Sequence, residues 1–457
     1  MSDELTLFGT DGFRGEANVI VTAEMAAKIG TAVGGWLQQE GRPLRAIIGR
    51  DTRRSGPMIE AALTAGLAQM GVETISIGIA PTPAVSFLCP RYEAGVGIIV
   101  SASHNKATDN GIKLIGPDGC KLPTQTEQTI EQTVKDELRG LKLATSDKIG
   151  QWKDGSAWVE SYADYLVGAA QQIAGAERPF EGMRLALDCA NGAAYAIAPR
   201  VLRALGAALC ETGIEPNGDN INENCGSTHL GGLIASVTGS GAHAGIAFDG
   251  DADRCLLIDE RGNEVDGDRI MCWFALHKQR NGGFKPPVVV ATIMSNGGMR
   301  ERLAEADIQL VMTDVGDRHV VNKMREMGAI IGGEQSGHLI FAEHSVTGDG
   351  ILTAIQALCL LKESGKPLSE VAHPFRPMPR KLEKYATDRT KVWHEDAEIT
   401  EAYQQAEQAL APKGRVNIRE SGTERGIVRV LVEAEEAQDA TKWSDKIGRI
   451  IIDRIGA

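Results

Sequence analysis

Short apolar runs alternate with amphipathic stretches along most of this chain, and three stretches share one pattern. Each has a β-branched or aliphatic run, a loop of small or polar residues, a segment of helical period, and a second apolar run. The first runs from 46–48 across Gly49-Arg50-Asp51-Thr52 to a helix near 58–70 and a strand near 74–77. The second comprises 184–188, the loop Cys189-Ala-Asn-Gly192, a helix near 198–205 and a strand near 207–210. The third comprises 288–291, Ser295-Asn-Gly-Gly298, a helix near 299–304 and a strand near 309–312. A strand, a crossover helix and a second strand predict a βαβ unit, and so a parallel sheet covered by helices. Beyond Pro374, Pro377 and Pro379 the apolar positions alternate instead: Val416 and Ile418, then Val428, Val430 and Val432. That period predicts an antiparallel pair, with the final helix, 441–455, covering it.

The expected fold is therefore α/β. Three related α/β domains with mixed, mostly parallel sheets are predicted over 1–153, 154–254 and 255–371, and a C-terminal α+β domain over 372–457. A length of 457 residues suits this division, because a single core stops growing well below that size. Aromatic residues make up 5% of the chain while glycine occurs 53 times, which fits an aliphatic framework with many turns.

A net charge of −13 gives no general attraction for nucleic acid or an anionic membrane, so neither is expected as a partner, and an anionic ligand would need local cations. The eight cysteines are scattered with no C-x-x-C pair, and the acidic start Met-Ser-Asp-Glu-Leu does not look like a secretory signal. A reducing cytoplasm is the expected location.

Four loops carry candidate chemistry. Ser101-Ala-Ser103-His104-Asn105 follows the strand-like run 95–100, and ligand chemistry in α/β sheets sits at the carboxyl ends of strands. Ser103 could be a nucleophile there, although from this loop alone a polar turn is the plainer reading. A serine hydrolase fits poorly, since the chain has no G-x-S-x-G elbow.

The second loop is Asp249-Gly-Asp251-Ala-Asp253-Arg254, between the runs 244–248 and 255–258. Packed within about 4 Å, each pair of these carboxylates would repel by about 4 kcal/mol at an effective dielectric of about 20, so a divalent cation is expected among them. Three hard oxygens suit Mg²⁺. A calcium loop is the structural rival, with Glu260 at its twelfth position, but its sixth would be Arg254 where glycine is required.

The third loop, Gly332-Gly-Glu334-Gln-Ser336-Gly-His338, offers Glu334 and Ser336 to paired hydroxyls; a solvated glycine-rich turn is the alternative. In the fourth, Arg419-Glu-Ser421-Gly422-Thr423-Glu424 with Arg429 beyond, hydroxyls, free backbone N–H groups and guanidinium forks could cradle a phosphate. A plain hairpin turn is the alternative there.

Taken in this order, the segments resemble the α-D-phosphohexomutase superfamily over nearly the whole chain. Phe8-Gly-Thr-Asp-Gly-Phe-Arg14-Gly15 is similar to its N-terminal segment. The four loops above are similar to its phosphoserine, metal, sugar and phosphate loops. Lys106 stands where that family usually has proline, and one extra residue precedes Arg429. Glu334 to His338, with Val315-Gly316-Asp317-Arg318, looks most like the branch acting on glucosamine phosphates.

The resemblance implies four domains around a central cleft and an isomerase in amino-sugar metabolism. The reaction implied interconverts glucosamine 6-phosphate and glucosamine 1-phosphate through a phosphoserine at Ser103 and a 1,6-bisphosphate, feeding UDP-N-acetylglucosamine and cell-wall precursor synthesis. It further implies one Mg²⁺ per chain on Ser103, Asp249, Asp251 and Asp253. Arg14, His104, Lys113 and Arg254 would stabilise charge or move protons. Glu334, Ser336, His338, Arg419, Ser421, Gly422, Thr423 and Arg429 would bind substrate. A homodimer, and activation by glucosamine 1,6-bisphosphate or glucose 1,6-bisphosphate, are expected on the same ground. The alternatives are a phosphomannomutase/phosphoglucomutase of the same superfamily and, in another class, a metal-dependent phosphatase or a non-catalytic calcium-binding protein.

Overall fold

The computed structural model describes residues 7–9, 11–388, 391–420 and 426–457. Its first sheet contains β1 (Phe13–Glu16), β2 (Arg45–Arg50), β3 (Glu73–Ile79), β4 (Val96–Val100), β5 (Asp109–Ile115) and β6 (Trp152–Asp154), in the order β1-β5-β4-β2-β3-β6. β2 pairs parallel with β3 and β4, as the crossover pattern predicts, while β5 returns antiparallel to β4. All five residues of β4 are buried, which explains why it reads as an unbroken apolar run. Helices Ala23–Gln39 and Gly56–Ala68 cover one face and lie close together, since a Cβ on Gly66 would fall 2.2 Å from the Ala27 carbonyl oxygen.

The second sheet contains β7 (Arg184–Asp188), β8 (Ala208–Thr212), β9 (Ala244–Phe248), β10 (Cys255–Asp259) and β11 (Glu264–Val265), in the order β11-β10-β9-β7-β8. The expected domain division after residue 254 needs correcting here. β10 hydrogen-bonds antiparallel to β9, with Cys255 opposite Phe248, so residues 255–265 complete the second sheet. The division after 153 likewise falls inside β6, which pairs with β3 of the first sheet.

The third sheet runs β13-β12-β14-β15, from β12 (Val288–Thr292), β13 (Gln309–Thr313), β14 (Ile331–Gly333) and β15 (Leu339–Phe341), with β12 parallel to β13 and β14. The last sheet is antiparallel: β16 (Arg380–Ala386), β18 (Ile427–Glu433) and β17 (Arg415–Glu420), in the order β16-β18-β17. Helix Ala437–Ile455 packs on it through Ile447 and Ile451.

The cores divide differently from the sheets. One continuous apolar cluster includes Ile47 and Ile99 of the first sheet, Leu187 and Phe248 of the second, and Val289 and Phe341 of the third. Helices Val159–Ala174 and Gly350–Ser364 are part of it, through residues such as Leu166 and Ile355. Sharing one close-packed core, the first three domains form one base. The C-terminal domain closes a core of its own around Ile399, Val430 and Ile447. It meets the base through Ala372 and Phe375, which pack on the base's core, and through polar groups. Asn296 donates to the Met378 carbonyl at 3.1 Å and accepts from the Met378 N–H at 2.8 Å, and Arg415 donates to the Ser295 carbonyl.

Candidate active site

Three of the four loops with candidate chemistry leave the carboxyl ends of β4, β9 and β14, and the folding of the base brings them together with the loop after β2, while the fourth follows β17 of the C-terminal domain. Ser103 follows β4 and is 1% exposed, with φ at +52°, a conformation that side chains rarely adopt. Its neighbours hold that conformation. The Ser103 N–H donates to Ser101 Oγ at 2.9 Å, and Ser101 Oγ donates to Asp51 at 2.6 Å. The Ser103 carbonyl accepts from Arg53 at 3.0 Å and from Asn222 at 2.8 Å. Arg53 is itself buried, bonded to Asp51 at 2.8 Å, and also donates to the carbonyls of Asn105, Lys106 and Asp109.

The hydroxyl of Ser103 donates to Asp249 at 2.5 Å and lies 3.3 Å from His104 Nδ1. Asp249, Asp251 and Asp253 are all buried, and one carboxylate oxygen from each lies within 4.8 Å of the others. The loop achieves this because Ala252 adopts φ +55° and Gly250 presses against Ser103. A Cβ on Gly250 would sit 2.4 Å from the Ser103 carbonyl oxygen, which its two donors hold in place. Gly250→Ala is expected to cost about 1–3 kcal/mol as an overpacking change and to displace the serine. A fall in both thermal midpoint and activity would show it, and an unchanged enzyme would refute the contact.

Lys113 Nζ donates to Asp251 at 2.8 Å and to Asp253 at 3.4 Å, Thr82 donates to Asp251 at 2.6 Å, and His338 Nδ1 lies 3.6 Å from Asp253. Burial and the two neighbouring carboxylates push Asp249 well above the usual carboxylate range. Burial acts the same way on Asp253, but Lys113 and His338 outweigh it and hold that carboxyl well below the range. Burial, then Arg254 and Arg14, lower His104 to about 3, so its imidazole is neutral near pH 7.

One oxygen each of Asp251 and Asp253 is buried with no hydrogen-bond partner among the described residues. Buried oxygens with open lone pairs, in a group whose third carboxyl is held back from ionising, suit a hard divalent cation. The calcium-loop alternative is ruled out by position, because Glu260 points elsewhere and accepts from the N–H and hydroxyl of Ser369.

Arg14 donates to the Ala102 carbonyl at 3.4 Å, and the Arg254 N–H donates to Asp249 at 3.2 Å. Glu334, at the end of β14, accepts from Ser336 at 3.2 Å, and its charge acts on both Arg254 and Arg419. A cavity of about 440 Å³ opens beside it, lined in part by Asp266, Arg269, Glu334, Ser336 and Arg380. Arg419 and Arg429 stand directly opposite one another on β17 and β18, so the extra residue before Arg429 leaves the pair in register. Like charges facing across a strand pair repel, and Arg419 is lowered by burial and by Arg429, which fits a place for an anion. Ser421, Gly422 and Thr423 lie outside the described residues.

The sequence reading does not single out Arg53, Asp51, Thr82 or Asn222. Asp51 and Thr82 follow the carboxyl ends of β2 and β3, so position after a strand is the signal that could have found them. Nothing local marks Asn222.

Models of the phosphoglucomutase/phosphomannomutase family match the chain four times: α/β/α domain I at 5–140, domain II at 160–262, domain III at 266–378 and the C-terminal domain at 381–449. The chain belongs to the phosphohexomutases. Among its relatives in that family, a phosphoglucosamine mutase of Desulforamulus reducens is 43% identical over 445 residues, 97% of this chain and 99% of the relative. A phosphoglucomutase/phosphomannomutase family protein of Burkholderia thailandensis has the same fold, with a TM-score of 0.80 at 23% identity over 98% of this chain and 97% of that one. So does Aspergillus fumigatus N-acetylphosphoglucosamine mutase, solved with GlcNAc-6P and magnesium, with a TM-score of 0.67 at 18% identity over 98% of this phosphohexomutase and 95% of that one.

Proposed function

We propose that the chain interconverts glucosamine 6-phosphate and glucosamine 1-phosphate, with Ser103 carrying the phosphoryl group between turnovers. The observation that carries this reading is the Ser103 hydroxyl bonded at 2.5 Å to one of three clustered buried aspartates, in a chain 43% identical to a phosphoglucosamine mutase. In the forward half-reaction the phosphorus–Oγ bond of phosphoserine breaks as a bond to the sugar O1 forms, giving a 1,6-bisphosphate. The O1 proton leaves to a nearby base. The intermediate then turns over, and its 6-phosphoryl passes to Ser103 Oγ while the sugar O6 regains a proton.

Such transfer depends mainly on position and charge neutralisation. Asp249, Asp251 and Asp253 would hold Mg²⁺, which when bound supplies positive charge to the phosphoryl oxygens. Arg14 and Arg254 lie on the serine's side of the site and add fixed positive charge. His104, neutral and 3.3 Å from Ser103 Oγ, can take or return a proton there, whereas Lys113 is committed to two carboxylates. Glu334 and Ser336 would grip ring hydroxyls in either pose, and Arg419 and Arg429 would hold the phosphate not being transferred. Glucosamine or glucose 1,6-bisphosphate would restore the phosphoserine after an abortive release of the intermediate.

Phosphorus NMR of the enzyme with glucosamine 6-phosphate, Mg²⁺ and a trace of glucose 1,6-bisphosphate tests the reading. A growing anomeric phosphate signal without free phosphate is expected. Inorganic phosphate rising in step with substrate loss would mean a phosphatase, and stronger turnover of mannose or glucose phosphates would move the chain to the phosphomannomutase/phosphoglucomutase branch.

A further inference from the structure

Gly316-Asp317-Arg318 touches three different parts of the molecule with three consecutive residues. The Gly316 N–H donates to Glu334 Oε1 at 3.1 Å. The Asp317 carboxylate accepts from Lys121 at 3.0 Å and lies 4.0 Å from His338 Nε2. Arg318 reaches back into the first domain, donating to Glu127 at 2.8 Å and to the Thr124 hydroxyl at 2.5 Å. Thr124 and Glu127 belong to the first-domain helix Thr124–Lys135, whereas Arg318 lies in the first turn of Asp317–Met327.

The middle residue closes a ring of alternating acidic and basic side chains. Asp11, Lys113, Asp253, His338, Asp317 and Lys121 each lie within 4.0 Å of the next, and Lys121 returns to Asp11. The ring joins all three domains of the base, and Arg318 and Glu127 stand just outside it. A cavity of about 380 Å³ lies beside the pair, lined in part by Arg42, Cys120, Lys121 and Arg318, so side-chain packing alone does not confine the turn. The Glu127 side chain is 5% exposed and that of Arg318 is 19%, which makes this a shielded ion pair rather than a surface one.

We infer that Arg318, anchored by Glu127, is a positioning residue for the sugar loop: it fixes the turn whose Gly316 N–H orients Glu334. Neither Arg318 nor Glu127 bonds to Ser103 or to the three aspartates among the described residues, so their loss spares the transferring groups. The inference rests on the reading of Glu334 as a sugar ligand.

The test uses Glu127→Gln, which keeps the shape, together with Arg318→Met and the double variant. With glucosamine 6-phosphate, KM rises about tenfold in each single variant while kcat and the Mg²⁺ midpoint stay within about twofold, and the double variant is no worse than the poorer single. Amide exchange over 332–338 quickens in all three variants, including the double variant, which leaves neither charge unpaired, and quickens there more than over the rest of the chain. An unchanged KM, a loss confined to kcat, fully additive effects or unaltered exchange in the loop would each overturn the inference. Should the unmodified enzyme not turn over glucosamine 6-phosphate, the functional reading fails, and the exchange measurement still decides whether Arg318 orders this loop.

Discussion

Replacing Ser103, the proposed phosphoryl carrier, with alanine is expected to lower turnover by on the order of 10⁴-fold or more, because no other side-chain hydroxyl among the described residues donates to Asp249. The Ser101 hydroxyl, two residues away, is occupied between Asp51 and the Ser103 N–H. Folding should survive. The variant loses one hydrogen bond to Asp249, worth about 1 kcal/mol, and the backbone at 103 keeps its bonds to Arg53, Asn222 and Ser101. Two measurements separate the outcomes: intact mass after incubation with glucose 1,6-bisphosphate, which should show no added phosphoryl group, and a coupled assay. Retention of more than a few per cent of activity would remove Ser103 from the mechanism.

Stripping divalent ions should stop transfer nearly as completely, and readdition should restore it. A second signature follows from electrostatics. Lys113 and Arg254 offset only part of the charge of three buried carboxylates, so Asp249 is pushed well above its ordinary range by burial and by the other two. A cation bound there favours the ionised trio and therefore the folded state. At an Mg²⁺ concentration of 100 times the dissociation constant the stabilisation is about 2.7 kcal/mol, which a thermal melt reads as a rise in midpoint. Asp253→Asn should weaken that dependence. A midpoint indifferent to Mg²⁺, together with activity that persists in chelator, would show that the aspartates hold no essential ion.

The chemistry proved readable where an apolar run ends abruptly in polar residues. β4 running into Ser101 to Ser103 and β9 running into Asp249 are such places, because a fully buried parallel strand leaves its ligand groups at one end. What periodicity could not convey was the return of β10. Cys255 to Ile258 is as apolar as a strand opening a new domain, and its antiparallel pairing with β9 depends on the tight aspartate loop rather than on any pattern within β10. β16 was hidden for the opposite reason. Its residues are charged or half exposed along the whole strand, so its existence rests on pairing with β18. Contacts such as Thr82 with Asp251 or Gly316 with Glu334 join residues far apart in the chain, and nothing local announces them.

The grip of Arg53 on the serine loop bears on how this site tolerates mutational drift. Arg53 bonds to the carbonyls of residues 103, 105, 106 and 109, and every residue has a carbonyl. A mould made for the backbone is indifferent to side-chain identity at many of the positions it shapes. Lys106 can therefore stand where the family usually has proline without the loop losing its form. The constraint passes to residue 53 itself, where no other side chain offers five donors in one rigid plane.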